Sequence, residues 1–179
     1  RLLDSLNVLS ALASNESLFK TYEKNEIHVV IKDVLKTTCR LDDAPFLGGI
    51  IAACSRVLHS IVEADNQKTK MLNSGVVKSV VQNMKVHPKL DASIAAGLKF
   101  IALLSSDEDA VDTMVKEGGV EACVSSLRAH SDNATIVSEA TNTLLVISEQ
   151  KQGVNATIQK GASRYLLQVI DKHNNDDAF

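Results

Sequence analysis

Three glycines, Gly75, Gly118 and Gly161, recur at an interval of 43 residues, and each stands in the same kind of local phrase. The phrases read Met71-Leu72-Asn73-Ser74-Gly75-Val76, Met114-Val115-Lys116-Glu117-Gly118-Gly119 and Thr157-Ile158-Gln159-Lys160-Gly161-Ala162. A period of this length corresponds to one supersecondary unit. A helix-turn-helix unit cannot bury its own apolar face, so its copies must stack on one another. The spacing therefore predicts a one-dimensional helical stack and argues against a globule built round a central pocket.

Composition agrees with that constraint. The 179 residues are 45% hydrophobic, enough for a real core, but only 3% aromatic with no Trp. Such a core is made of Leu, Val, Ile and Ala, which suits close-packed helices better than a β-sandwich. A net charge of −3 argues against a general phosphate-backbone binder, so no nucleic-acid partner is expected. Cys39, Cys54 and Cys123 are odd in number and scattered, without a CxxC spacing, which fits a reducing compartment. No run approaches the roughly 18–20 apolar residues of a membrane span, and there is no signal-peptide pattern. Matches to N-x-[ST] at Asn15, Asn133 and Asn155 are a short pattern that arises by chance. Residence in the cytoplasm, or the nucleus, is the expectation.

The most complete copy of the repeat runs from Asp107 to Glu149. Ser105-Ser106 before Asp107, Glu108 and Asp109 reads as a helix start, with hydroxyls at the cap and acids in the first turn. Val111, Met114 and Val115 give the i, i+3, i+4 stripe of a short first helix. Gly118-Gly119 breaks it, because glycine takes the positive φ of a sharp corner. Val120, Val124 and Leu127 stripe a second helix ending near His130, and Asp132 and Asn133 make a turn. Ile136, Val137, Ala140, Leu144 and Ile147 stripe a longer third helix.

The preceding copy repeats this at an offset of 43, with Met71 for Met114, Val80 for Cys123 and Ile101 for Leu144. His87-Pro88 stands where His130-Ser131 stands, and Pro88 stops the helix because the residue before proline avoids helical angles. One copy earlier the third helix (Ile51, Cys54, Leu58, Ile61) still fits at 43. The second helix (Ile27, Ile31, Leu35) fits only at an offset of 49 from Val76, Val80 and Met84. Six extra residues therefore lie in an expanded loop, expected at 36–50 around Pro45. Leu6, Leu9 and Leu12 read as the end of a third helix, and Leu18, Phe19 and Tyr22 as a first helix. Tyr165, Leu166, Val169 and Ile170 read as a second helix reaching His173. The expected units are the end of a repeat at 1–14, an expanded repeat at 15–62, repeats at 63–105 and 106–148, and a partial one at 149–179. The chain is accordingly expected to be a window on a longer array, or to end in a degenerate repeat.

With three helices per unit and a glycine before the second, the sequence resembles the armadillo-repeat family, whose units are about 42 residues long. The phrases from Asp109 to Val120 and from Glu139 to Ser148 carry the likeness most strongly. The resemblance implies an all-α, right-handed solenoid whose third helices line a concave groove for extended peptides or partner domains. In the nuclear-import armadillo proteins that groove carries a Trp and, four residues on, an Asn. Here the Trp positions hold Asn7, Arg56, Lys99 and Asn142, and the Asn positions hold Ala11, Ser60, Leu103 and Val146. Neither ladder is present, so import-signal binding is not expected.

The groove row nevertheless has chemistry of its own. Arg56 and Lys99 stand at equivalent places on adjacent repeats, among Ala52, Ala53, Ala95 and Ala96, with Asn7 and Asn142 beyond. A short basic stripe with polar ends can clamp an acidic or phosphorylated peptide, since Arg pairs with a carboxylate or phosphate through two parallel bonds. The plainer reading is two solvated cations on a helix face. Phe46 and Leu47, between Pro45 and Gly48-Gly49, are candidate loop contacts that pack back on the stack or onto a partner. His87, His130 and His173 form a ladder, yet neighbouring repeats hold them too far apart to share a metal ion at about 2 Å. They read as helix C-terminal residues. Asp107, Glu108 and Asp109 read as a helix start, and Cys54 and Cys123 as packing residues, which leaves Cys39 as the one candidate reactive thiol. No nucleophile elbow, phosphate loop or metalloprotease motif occurs. The expectation is a non-enzymatic scaffold with no cofactor and no metal that binds a protein or peptide along its groove. The alternative is a structural spacer or assembly module that self-associates through its repeat ends or positions other modules.

Overall fold

A computed structural model of the chain describes residues 2–13, 26–42, 46–65, 68–105 and 108–174. These residues form eleven helices and no strand. In chain order they are α1 (Leu2–Ala13), α2 (Ile27–Thr38), α3 (Leu47–Asp65), α4 (Lys68–Ser74), α5 (Val76–Val86), α6 (Asp91–Leu104), α7 (Glu108–Glu117), α8 (Gly119–Ala129), α9 (Ala134–Ile147), α10 (Lys151–Gln159) and α11 (Ala162–Asn174). The triplets α4–α5–α6 and α7–α8–α9 are two successive copies of the three-helix unit. Like helices stack on like: α1, α3, α6 and α9 form one row, α2, α5, α8 and α11 a second, and α4, α7 and α10 a third. The arrangement is an all-α, armadillo-like solenoid.

The glycine interval is the geometric hinge of each unit. Gly75, Gly118 and Gly161 have φ of 77°, 82° and 71°, the left-handed corner that turns a first helix into a second. In the expanded repeat the same register position is held by Glu26, which adopts φ 47° and ψ 44° at the start of α2. The corner is therefore kept even where glycine is absent. At the other end of the second helices, α5 stops at Val86, and His87 before Pro88 leaves helical angles (φ −117°, ψ 59°). Asn133 starts α9 by accepting a hydrogen bond from the Ile136 backbone N–H at 3.2 Å. Ser105 serves α6 and not α7: it is the C-cap of α6, and its hydroxyl donates to Ile101 O at 2.8 Å. Ser106 and Asp107 lie outside the described residues.

One continuous aliphatic core threads the stack, from Leu6 through Ile31, Leu58, Val80, Leu98, Met114, Cys123 and Leu144 to Val169. Residues at equivalent places are buried alike, as with Cys54, Gly97 and Ala140 between third and second helices. Burying each large aliphatic side chain contributes about 1.5–3 kcal/mol, which is why the stripe dictates the stack. A buried polar clasp joins α2 to α5. Asn83 Nδ2 donates to Leu35 O at 2.7 Å and to Ser79 O at 2.9 Å, and Thr38 Oγ1 donates to Asn83 Oδ1 at 2.7 Å.

The expanded repeat departs from expectation in a specific way. Helix α2 continues to Thr38 and α3 begins at Leu47, so the connection is 39–46, against 87–90 between α5 and α6. Leu47 is fully buried within α3, whereas Phe46 is 61% exposed. The two candidate loop residues thus separate, one into the core and one onto the surface. Pro45 and the helix expected at Leu18, Phe19 and Tyr22 lie outside the described residues, as does Phe179.

Candidate interaction groove

Helical spacing of 3.6 residues puts residues four apart on one face. On the third-helix row this aligns Arg56 and Ser60 of α3, Lys99 and Leu103 of α6, and Asn142 and Val146 of α9. The structure brings all six together along one furrow. A recess of about 400 Å³ is lined by Arg56, His59, Ser60, Ala92, Ala95, Ala96, Lys99 and Thr135. A neighbouring one of about 330 Å³ is lined by His59, Lys99, Ala102, Leu103, Glu139, Asn142 and Val146. His59 and Lys99 border both, so the recesses are continuous across three third helices. Asn7 extends the row on α1, where its Oδ1 accepts a hydrogen bond from Arg56 Nη2 at 3.1 Å.

The furrow has an alanine floor and a charged rim. Short side chains at 92, 95 and 96 leave the space; Arg56, Lys99 and Asn142 are exposed beside it. The charges are partly satisfied from within. Lys99 Nζ lies 3.2 Å from Glu139 Oε1, across from α6 to α9. His59 Nε2 lies 3.3 Å from Glu63 Oε1, one turn along α3, while His59 Nδ1 is buried without a hydrogen-bond partner. Arg56 has the neutral Asn7 amide oxygen instead. Sequence reading did not single out His59 or Glu139. Glu139 is four residues before Thr143, whose buried hydroxyl bonds to the Leu98 and Glu139 carbonyl oxygens, and that spacing aims it at α6.

Residues 52–179 match the family described as the beta-catenin homolog sys-1 middle terminal domain. The chain belongs to this family. The matched span starts at Ala52 and so contains Arg56, Ser60, Lys99, Leu103, Asn142 and Val146; Asn7, Phe46 and Leu47 precede it. β-Catenin is an armadillo-repeat protein, and domains of this kind act through protein partners and are typically non-enzymatic. Comparison with curated proteins gave no match, and comparison with solved structures gave none.

Other residue clusters of the β-catenin-homolog domain have structural explanations. His87 Nε2 lies 3.0 Å from Thr38 O, and His130 Nε2 lies 2.6 Å from Pro88 O. A carbonyl oxygen only accepts, so each Nε2 donates, to a carbonyl at the end of the preceding repeat's second helix. His130 Nδ1 also faces Asp91 Oδ1 at 3.2 Å. The His173 side chain lies outside the description. Among the described residues no three His, Cys, Asp or Glu side chains converge as a metal site requires. Burial pushes the Cys54 and Cys123 thiols up to about 12, so both are held protonated. Burial also raises Cys39, which weakens the case for it as a reactive thiol. On the second-helix face, a hydrogen bond and charge from Lys85, with Lys160 beyond, hold the Glu121 carboxyl below its ordinary value. Among the described residues no helix is long and apolar enough to cross a membrane.

Proposed function

We propose that the domain is a non-enzymatic interaction scaffold that seats an acidic segment of a protein partner along the α3–α6–α9 furrow. The observation that carries this reading is the run of Arg56, Ser60, Lys99, Leu103, Asn142 and Val146 beside two connected recesses floored by alanine. Small floor residues admit a main chain closely. Asn142 and Ser60 supply hydrogen-bonding groups of the kind an extended backbone needs. Arg56 offers a planar donor fork to a carboxylate. Residence in a reducing compartment belongs to the same proposal and is supported by three unpaired cysteines. The test is fluorescence anisotropy with a labelled, capped peptide of alternating Glu and Ala. Reversing both charges with Arg56→Glu and Lys99→Glu is expected to weaken binding at least about tenfold, the order of one charged hydrogen bond lost. Unchanged affinity in a folded double variant defeats the assignment.

A further inference from the structure

Shifting the Lys99–Glu139 ion pair back by one 43-residue period gives Arg56 and Ala96. The two places share a geometry but not a chemistry. At the later one, the α9 carboxylate reaches back to the α6 ammonium at 3.2 Å. At the earlier one, Arg56 and Ala96 line the same recess, and a methyl group stands where the carboxylate would start. Among the described residues no carboxylate pairs with Arg56, whose hydrogen bond runs to the neutral Asn7 amide. We infer that Glu139 is a built-in occupant of the furrow's second cationic position, so that an acidic segment engages Arg56 over Ala96 and bypasses Lys99.

The inference rests on the furrow reading and adds to it a division of labour between two cations that look equivalent. An incoming carboxylate at Lys99 must displace Glu139 and then sit beside it, so attraction and repulsion largely cancel. At Arg56 it meets an unneutralised guanidinium over a short floor residue, with Asn7 holding the guanidinium in place. The Lys99–Glu139 pair is itself the template for how a glutamate side chain from a partner docks on this row.

The experiment uses the same alternating Glu-Ala peptide against four variants. Glu139→Gln keeps size and removes charge; it is expected to tighten binding about fivefold, the range of a partly exposed pair. Ala96→Glu supplies Arg56 with an internal partner and is expected to weaken binding about tenfold or more, while Ala96→Gln, equal in bulk, weakens it by less than about threefold. Lys99→Gln alone is expected to change affinity less than about twofold. Equal losses from Ala96→Glu and Ala96→Gln, or no gain from Glu139→Gln, overturn the inference while wild-type binding leaves the furrow reading standing. If neither wild type nor Glu139→Gln binds the peptide, both readings fall.

Discussion

The left-handed corner gives a paired prediction of opposite sign at one register position. Gly75 has φ 77°, and a Cβ built on it meets nothing within 4 Å. Gly75→Ala therefore adds no clash, and its cost is conformational. Holding an L-residue in that region costs about 1–2 kcal/mol, and stiffening the unfolded chain returns roughly 0.4–1 kcal/mol. The net is a loss of about 1 kcal/mol, or a melting temperature roughly 2–4 °C lower for a chain of this size. Glu26 occupies the equivalent corner at φ 47° and already bears that strain. Glu26→Gly releases it but frees the unfolded chain, so a gain somewhat under about 1 kcal/mol is expected. Urea titrations with the slope compared between variants measure both, since a shift in midpoint at constant slope is a change in stability. Neutral or stabilising Gly75→Ala together with destabilising Glu26→Gly would refute the argument that this corner sets the repeat.

Three further outcomes follow from the packing. A Cβ on Gly153 would lie 1.8 Å from Ile147 O, a backbone atom that cannot rotate away, so Gly153→Ala must push α10 off α9. A loss above about 3 kcal/mol is expected by thermal or chemical unfolding, beyond ordinary overpacking. Asn83→Ala removes the two hydrogen bonds that join α2 to α5 and leaves Thr38 Oγ1 to Leu35 O alone, at 2.8 Å, which costs about 1–3 kcal/mol in the same assay. Burial, and secondarily Lys70, hold His28 below its ordinary value of 6.5 against an opposing pull from Glu26. The unfolded chain then takes up the proton first as pH falls. Stability is full above that value and declines as pH drops from it through the lowered one. His28→Gln should flatten this part of a stability–pH curve; an unaltered slope contradicts the assignment.

The repeat was readable because backbone geometry permits few residues at its corners. Gly75, Gly118 and Gly161 announce a positive φ, whereas Glu26 conceals one, since nothing in the side chain of a glutamate signals a left-handed backbone. The alignment of Arg56, Lys99 and Asn142 was equally legible, being a matter of register on stacked third helices. What the register could not convey is which charges are already satisfied. Glu139 lies off the row by three residues, and only the α6–α9 separation shows that it reaches Lys99. His59 escaped for the same reason: its pairing with Glu63 is local, but its place at the join of two recesses depends on how α3 and α6 pack. Ser105 misled because a hydroxyl before acids reads as an N-cap, while its own hydrogen bond looks back to Ile101. Leu47 and Phe46 are neighbours in sequence, and the start of α3 between them decides that one is core and the other surface.

On the proposed function, the third-helix furrow is the face that receives a partner. Photo-crosslinking tests it most directly, with the alternating Glu-Ala peptide carrying a photoreactive group and the adducts mapped by mass spectrometry. Adducts are expected on α3, α6 and α9, densest around Arg56 and Ala96 and suppressed by Ala96→Glu. Adducts concentrated on α5 and α8, or on the exposed α11 face, would contradict it.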